Sequence, residues 1–304
     1  MSGAYPAAPP SPEAWAGALP LRAGAWEMVL LPAGGAIVAS LRHAGRDVLL
    51  PVPEGIEPIA AKAGAFPMLP WCNRLDDGWL RWPGGEHRFP RNGAEDNTAI
   101  HGLARQGPWR VAEHDGHSAR LVQDAPPLLP EDPSQPYRYV AELRFALSEP
   151  GLELGASVRN TAAAAMPFGM GWHPWFRRVP GMQLRMRADT ALRPDARNMP
   201  EAVEPSSGAS GPEANWIGLD GAFAGWDGVV EIDMPGLPLE LRATGAWDGN
   251  FQLFAPRTRE VVCLEPVSHV TDVSNRRQLA RFGDMRLLAP GESMDAALTL
   301  RLRG

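Results

Sequence analysis

Hydrophobic and polar residues alternate with a period of two over several stretches of the chain. Tyr139, Ala141, Leu143, Phe145 and Leu147 fall on one side of such a run, and Glu142 and Arg144 on the other. After Ser148-Glu149-Pro150-Gly151 the pattern resumes: Leu152, Leu154, Ala156 and Val158 alternate with Glu153, Ser157 and Arg159. Successive side chains of a strand point to opposite faces, so each run buries one face, and two runs around a Pro-Gly turn predict a β-hairpin. Leu298, Leu300 and Leu302, alternating with Thr299, Arg301 and Arg303, predict another strand, as do Leu239 and Leu241. Val261 to Leu264 is strongly β-prone and ends at Glu265. Pro266 has no N–H for a ladder, so the strand is expected to stop or bulge there.

Helical periodicity is scarce. Asn275 to Phe282 predicts one short helix. The weight falls on an all-β protein with one face of each strand buried, which means packed antiparallel sheets and few short helices. No repeat of fixed period appears, which disfavours a propeller. The Pro-rich segments Ala125–Pro136 and Asn198–Pro212 predict long loops. Residues 1–20 form a Pro/Ala-rich N-terminal tail, and residues 21–304 a single domain without a visible internal boundary.

Composition sharpens this picture. The 304 residues include 32 glycines and 32 prolines, a load that suits turns between short strands better than helices. The formal net charge is -6 and no block of five like charges stands out, so a nucleic-acid groove or polybasic membrane patch is not favoured. A small neutral or polar ligand fits better than a polyanion. Two cysteines, Cys72 and Cys263, make neither a disulfide framework nor a zinc cage; reduced thiols in a cytoplasmic protein are expected. The N-terminus lacks a basic region followed by an apolar core, and no run of about 18 apolar residues exists, so neither signal peptide nor membrane span is expected.

Four stretches carry candidate chemistry. In "FGMGWHPWF", His173 sits among Trp172, Trp175, Phe168 and Phe176, and Pro174 drives its backbone into the extended region. That holds a general acid in place; it holds a core histidine equally well. Asn73-Arg74 follow an apolar run and precede an Asp-Asp-Gly turn, where a surface arginine is the plainer reading. His101 precedes Gly102, which admits close approach of a backbone or a ligand. Glu265 ends a buried strand, where an unpartnered carboxylate is costly and its pKa rises. A structural ion pair and a functional carboxylate remain equal alternatives there.

Together these stretches resemble one family, the aldose 1-epimerases or galactose mutarotases. Phe66-Pro67 followed by Asn73-Arg74, then His101-Gly102, then "HPWF" from His173 to Phe176, then Asp220 in "LDGAFAGWDG", then Glu265-Pro266 match its motifs in order across most of the chain. There are departures: Trp175 replaces the familiar tyrosine, Asn97 and Thr98 stand where some members carry a second histidine, and Val267 stands where some carry glutamine. These bear on sugar preference more than on chemistry.

The resemblance implies a single large β-sandwich of the galactose mutarotase-like type, and interconversion of the α and β anomers of a free aldose. Ring opening needs one base and one acid, with no metal and no cofactor. By this resemblance Glu265 is the base on the anomeric hydroxyl, His173 the acid at the ring oxygen, and His101 a donor beside that oxygen. Asn73, Arg74 and Asp220 would bind sugar hydroxyls, and Trp175 or Trp172 would stack on the sugar's apolar face. The partner is a small sugar, not a nucleic acid or a membrane, and the protein a monomer or homodimer. Three alternatives stand beside this: a hexose-6-phosphate mutarotase, a non-catalytic carbohydrate-binding protein, and a glycosidase using Asp220 and Glu265, which leaves His173 unexplained. Of the adjacent Arg177 and Arg178, at most one is expected to face the groove.

Overall fold

The computed structural model describes residues 8–93 and 96–304. Residues 1–7 of the expected tail lie outside the described residues. Within its remainder, Pro12–Trp15 makes a single 3-10 turn with Ala14 buried, and the first strand begins at Leu19. Among the described residues, no helix is long and apolar enough to cross a membrane.

Strands dominate, as the alternation predicts. Among the described residues, eighteen strands join one hydrogen-bonded network, with three two-stranded pieces beside it. The paired strands run antiparallel throughout the layers described next. In the first layer, the predicted hairpin runs from Tyr139↔Asn160 to Ser148↔Gly151, with Glu149 and Pro150 as its loop. Ser293–Leu302 adds to the hairpin, and Leu237–Gly245 adds to that. In the second layer, the order is the first half of Asp220–Met234, then Gly249–Phe254, Val261–Val267, Gly171–Arg177 and Ala65–Met68. Trp172, Pro174 and Phe176 of this layer meet Leu152, Leu241, Leu298 and Leu300 of the other, and these residues form part of the interlayer core.

The strand Asp220–Met234 belongs to both layers. Asp220 to Trp226 pairs with Gly249–Phe254, whereas Val229 to Met234 pairs with Leu237–Gly245. Between them the register shifts, and Gly225 and Gly228 take φ of +66° and +79°. A residue with a Cβ is strained in that left-handed backbone, so glycines mark the crossover.

Two local expectations are corrected. Asn198–Pro212 is not a loop throughout, for Pro200–Pro205 and Ala209–Pro212 both pair with Gln183–Pro194. Prolines close both ends of the first piece, where a missing ladder donor costs little, and few apolar side chains mark the strand in sequence. Nor does the Glu265 strand stop at Pro266. It runs from Val261 to Val267, with Phe251↔Pro266 intact on one side. On the other side the ladder registers at Gly171↔Val267 and Trp175↔Cys263 and skips what lies between, where Pro174 and Pro266 have no N–H to donate. The short helix expected at Asn275–Phe282 is the 3-10 segment Arg277–Phe282.

Candidate active site

The skipped part of that ladder builds the site. Continuing its register sets His173 opposite Glu265. Neighbouring ladders extend the row, with Gln252 opposite Glu265, Ala222 opposite Gln252, and Phe66 opposite His173. A second row, two residues along, holds Asp220, Phe254, Cys263 and Trp175. Residues opposite one another share a face, and so do residues two apart. Trp172, Pro174 and Phe176 therefore enter the interlayer core, while His173 and Trp175 lie on the outer face of the layer.

His173 Nε2 and Glu265 Oε1 are 3.3 Å apart. The two residues are 5% and 1% exposed, and His173 Nδ1 and Glu265 Oε2 have no hydrogen-bond partner. The imidazole is stacked between Phe66 at 4.5 Å and Trp175 at 5.1 Å, with His101 edge-on at 5.0 Å. Its plane is thus fixed by packing. Burial pulls the His173 pKa down to about 3, helped by the charges of Arg105 and Arg74. Burial pushes the Glu265 carboxyl well above the usual carboxylate range; Asp220 adds to this and Arg74 opposes it. Both shifts favour the uncharged forms, a carboxylic acid facing a neutral imidazole, with one titratable proton on the pair.

His101 is held by its backbone. Its φ is +64°, and its N–H donates to the Asn73 carbonyl at 2.9 Å. Gly102 follows at φ +68°, where a Cβ would lie 2.1 Å from the Leu69 carbonyl oxygen. The close approach that this glycine permits is to backbone. Burial, then Arg105, His173 and Arg74, drive the His101 pKa well below its usual value. Arg105 itself is buried, with its guanidinium 4.7 Å from the Phe66 ring and Nε unpartnered. Burial draws its pKa down to about 10.

Arg74 begins the short strand Arg74–Asp76. Its Nε donates to Asp96 at 2.6 Å and its Nη1 to Asn73 Oδ1 at 3.0 Å. The loop after the Glu265 strand clamps this segment. His269 Nε2 accepts from the Cys72 N–H at 3.0 Å while its Nδ1–H donates to the Val270 carbonyl. Asp272 Oδ1 accepts from the Asp76 N–H at 3.0 Å. A Cβ on Gly169 would lie 2.2 Å from the His269 ring, which explains one glycine of the "FGMG" run. On the far side of the pair, Gln252 Nε2 donates to Asp220 Oδ1 at 2.9 Å, and burial raises the Asp220 pKa. Asn73, Asn198, Asp220, Gln252 and Thr271 line a small polar groove here.

Glu265, His173, His101, Asn73, Arg74, Asp220 and Trp175 thus gather around one face of one layer. Trp172 does not join them. Arg177 approaches Asp47 and Glu260 at 3.7 and 3.9 Å, and Arg178 pairs with Glu213, so both arginines are engaged elsewhere. Arg178 lines a separate cleft of about 400 Å³ that holds neither His173 nor Glu265. Sequence reasoning missed Arg105, Gln252, His269 and Asp272. The signals present were an arginine four residues after His101 and a polar cluster after Glu265, and neither names its partner.

The family described as aldose 1-epimerase matches residues 19–301. The uncharacterized protein YphB of Escherichia coli K12 is 28% identical over 266 residues, 80% of this chain and 85% of YphB. A candidate aldose 1-epimerase from Escherichia coli K12 superposes with a TM-score of 0.82 at 24% identity, covering 94% of this chain and 98% of that one. A galactose mutarotase-like protein from Clostridium acetobutylicum gives 0.80 at 18% identity, covering 94% of both.

Proposed function

The chain belongs to the aldose 1-epimerase family, and on that premise we propose that it interconverts the α and β anomers of a free aldose by opening and reclosing the ring. The observation that carries the reading is the 3.3 Å contact between a buried carboxyl and a buried imidazole on one face of a sheet. Glu265, as carboxylate, takes the proton of the anomeric hydroxyl. The bond from C1 to the ring oxygen breaks, and that oxygen takes a proton from His173 as imidazolium. The freed aldehyde turns about its bond to C2, and the reverse transfers close the ring on the other face. The pair carries one proton before and after, so every turnover resets it.

Burial holds the pair in its uncharged form, so the charged form that starts this sequence needs support. Arg74 lowers the Glu265 pKa, and sugar hydroxyls add hydrogen bonds to the carboxylate; Arg74 disfavours the imidazolium, so the charge on His173 rests on its contact with the carboxylate. His101 hydrogen-bonds beside the ring oxygen, Asn73, Arg74 and Asp220 hold ring hydroxyls, and Trp175 covers an apolar sugar face. The test is polarimetry. The protein is expected to speed the approach of fresh α-D-glucose or α-D-galactose to anomeric equilibrium. Decay no faster than in buffer, for several aldoses and their 6-phosphates, ends this reading.

A further inference from the structure

We propose that His173, Cys263 and Glu265 form a binding site for a thiophilic divalent cation of the zinc class, and that the bound cation blocks the sugar site. One donor atom from each side chain lies within 4.8 Å of the other two, and all three residues are buried. The register explains the cluster: Cys263 and Glu265 stand two apart on one strand and face His173 on the next. His173 Nδ1 and Glu265 Oε2 also lack hydrogen-bond partners, each on a residue more than nine-tenths buried. A buried polar atom without a partner is costly, and a cation held by this trio offers Glu265 Oε2 a partner through bidentate ligation; His173 Nδ1, on the ring edge away from Nε2, gains none.

The spacing suits a tetrahedral ion. With metal–nitrogen and metal–oxygen bonds of about 2.0–2.1 Å, those two ligand atoms stand about 3.3 Å apart. His173 Nε2 and Glu265 Oε1 already do. A metal–sulfur bond of about 2.3 Å asks for sulfur within about 3.6 Å of each, so Cys263 closes in by about 1.2 Å at most. Binding displaces the thiol proton and the proton on the His173–Glu265 pair to solvent. Three protein donors leave a fourth position for water. The thiolate selects Zn²⁺ and Co²⁺ over Mg²⁺ and Ca²⁺. The blocking half of the proposal rests on the mutarotase reading; the binding half does not.

Titrating the metal-free full chain with Co²⁺ tests the binding half through thiolate-to-cobalt charge-transfer absorption. One Co²⁺ per chain is expected, displaced by one equivalent of Zn²⁺ and unmoved by millimolar Mg²⁺. Cys263→Ser should remove the band and weaken Zn²⁺ binding by roughly tenfold or more, as loss of the soft ligand implies. Cys72→Ser should change neither. X-ray absorption at the zinc edge of the unaltered protein guards against a variant that does not fold: one sulfur and lighter donors are expected. No band, a band that survives Cys263→Ser, or a sulfur-free zinc shell overturns the site. Zn²⁺ bound with turnover unchanged overturns the blocking claim. Absence of turnover in the metal-free protein counts against the mutarotase reading and leaves the spectra to judge the site.

Discussion

His173 and Glu265 face each other across adjacent strands, with Nε2 and Oε1 3.3 Å apart, where Pro174 and Pro266 remove the N–H groups that would otherwise tie the two backbones together. The side-chain contact lies where the registered ladder is interrupted. Burial disfavours charge on both residues, so each leaves a signature in stability as well as in turnover.

Glu265→Gln is expected to lower turnover by about two orders of magnitude or more, the usual share of general base catalysis. The folded Glu265 pKa is raised, so the folded state binds its proton more tightly than the unfolded state. That contribution is full below the unfolded pKa of about 4.5 and is lost as pH rises through the folded pKa. Glutamine cannot ionise. The variant's melting temperature relative to wild type should therefore rise from pH 5 to pH 8. Wild-type turnover in the folded variant removes Glu265 from the mechanism.

His173→Asn should reduce turnover similarly, with the opposite pH signature. The folded His173 pKa is near 3 against about 6.5 unfolded, so its contribution is present above about pH 6.5 and fades as pH falls toward 3. Urea unfolding at pH 7 and pH 4.5 should show a smaller acid loss in the variant than in wild type. His101 shifts in the same direction, so the loss shrinks without vanishing. An unchanged slope refutes the burial argument.

Gly102→Ala should destabilise the protein by about 1–3 kcal/mol or more and slow turnover, because the new Cβ meets the Leu69 carbonyl and shifts His101. Gly116→Ala is the control. Gly116 has φ +85° with open space around its Cβ position, so it carries the backbone strain alone. Equal unfolding free energies for the two variants show that the Leu69 contact yields.

A neutral aldose should be used at least as well as its 6-phosphate, since Arg177 and Arg178 are already engaged by Asp47, Glu260 and Glu213. Comparing kcat/KM for glucose and glucose 6-phosphate at two salt concentrations decides the matter. A tenfold preference for the phosphate, about 1.4 kcal/mol, that fades with salt and with Arg177→Ala or Arg178→Ala overturns it.

Chelation should not lower turnover, because the proposed roles of Glu265, His173 and His101 are proton transfer and hydrogen bonding. Loss of activity after dialysis against EDTA, restored by a divalent ion, contradicts this.

The hairpin at Tyr139–Asn160 was legible because one buried face imposes alternation along a strand. Glu265 and His173 were legible as residues, through a β-run and a proline, but not as a contact; the register that makes them neighbours spans 92 positions of chain. Arg105, His269 and Asp272 act on residues far away in sequence, and no local pattern encodes such partners. Pro266 misled because a proline in a strand reads as an end, whereas here only one of its two ladders is interrupted. The edge strand Pro200–Pro205 hid because its exposed side chains carry no apolar alternation.

Asp220 stands at one end of a strand whose other end is stitched into the opposite layer. That strand is a seam. The two layers cannot slide past each other or part without tearing its ladders, so the spacing between Asp220, Gln252 and Glu265 is insulated from breathing of the sandwich. Backbone amides along the seam should exchange with solvent only when the whole molecule unfolds. On the proposed function, a sugar then comes and goes through movements of side chains, over a floor that stays still.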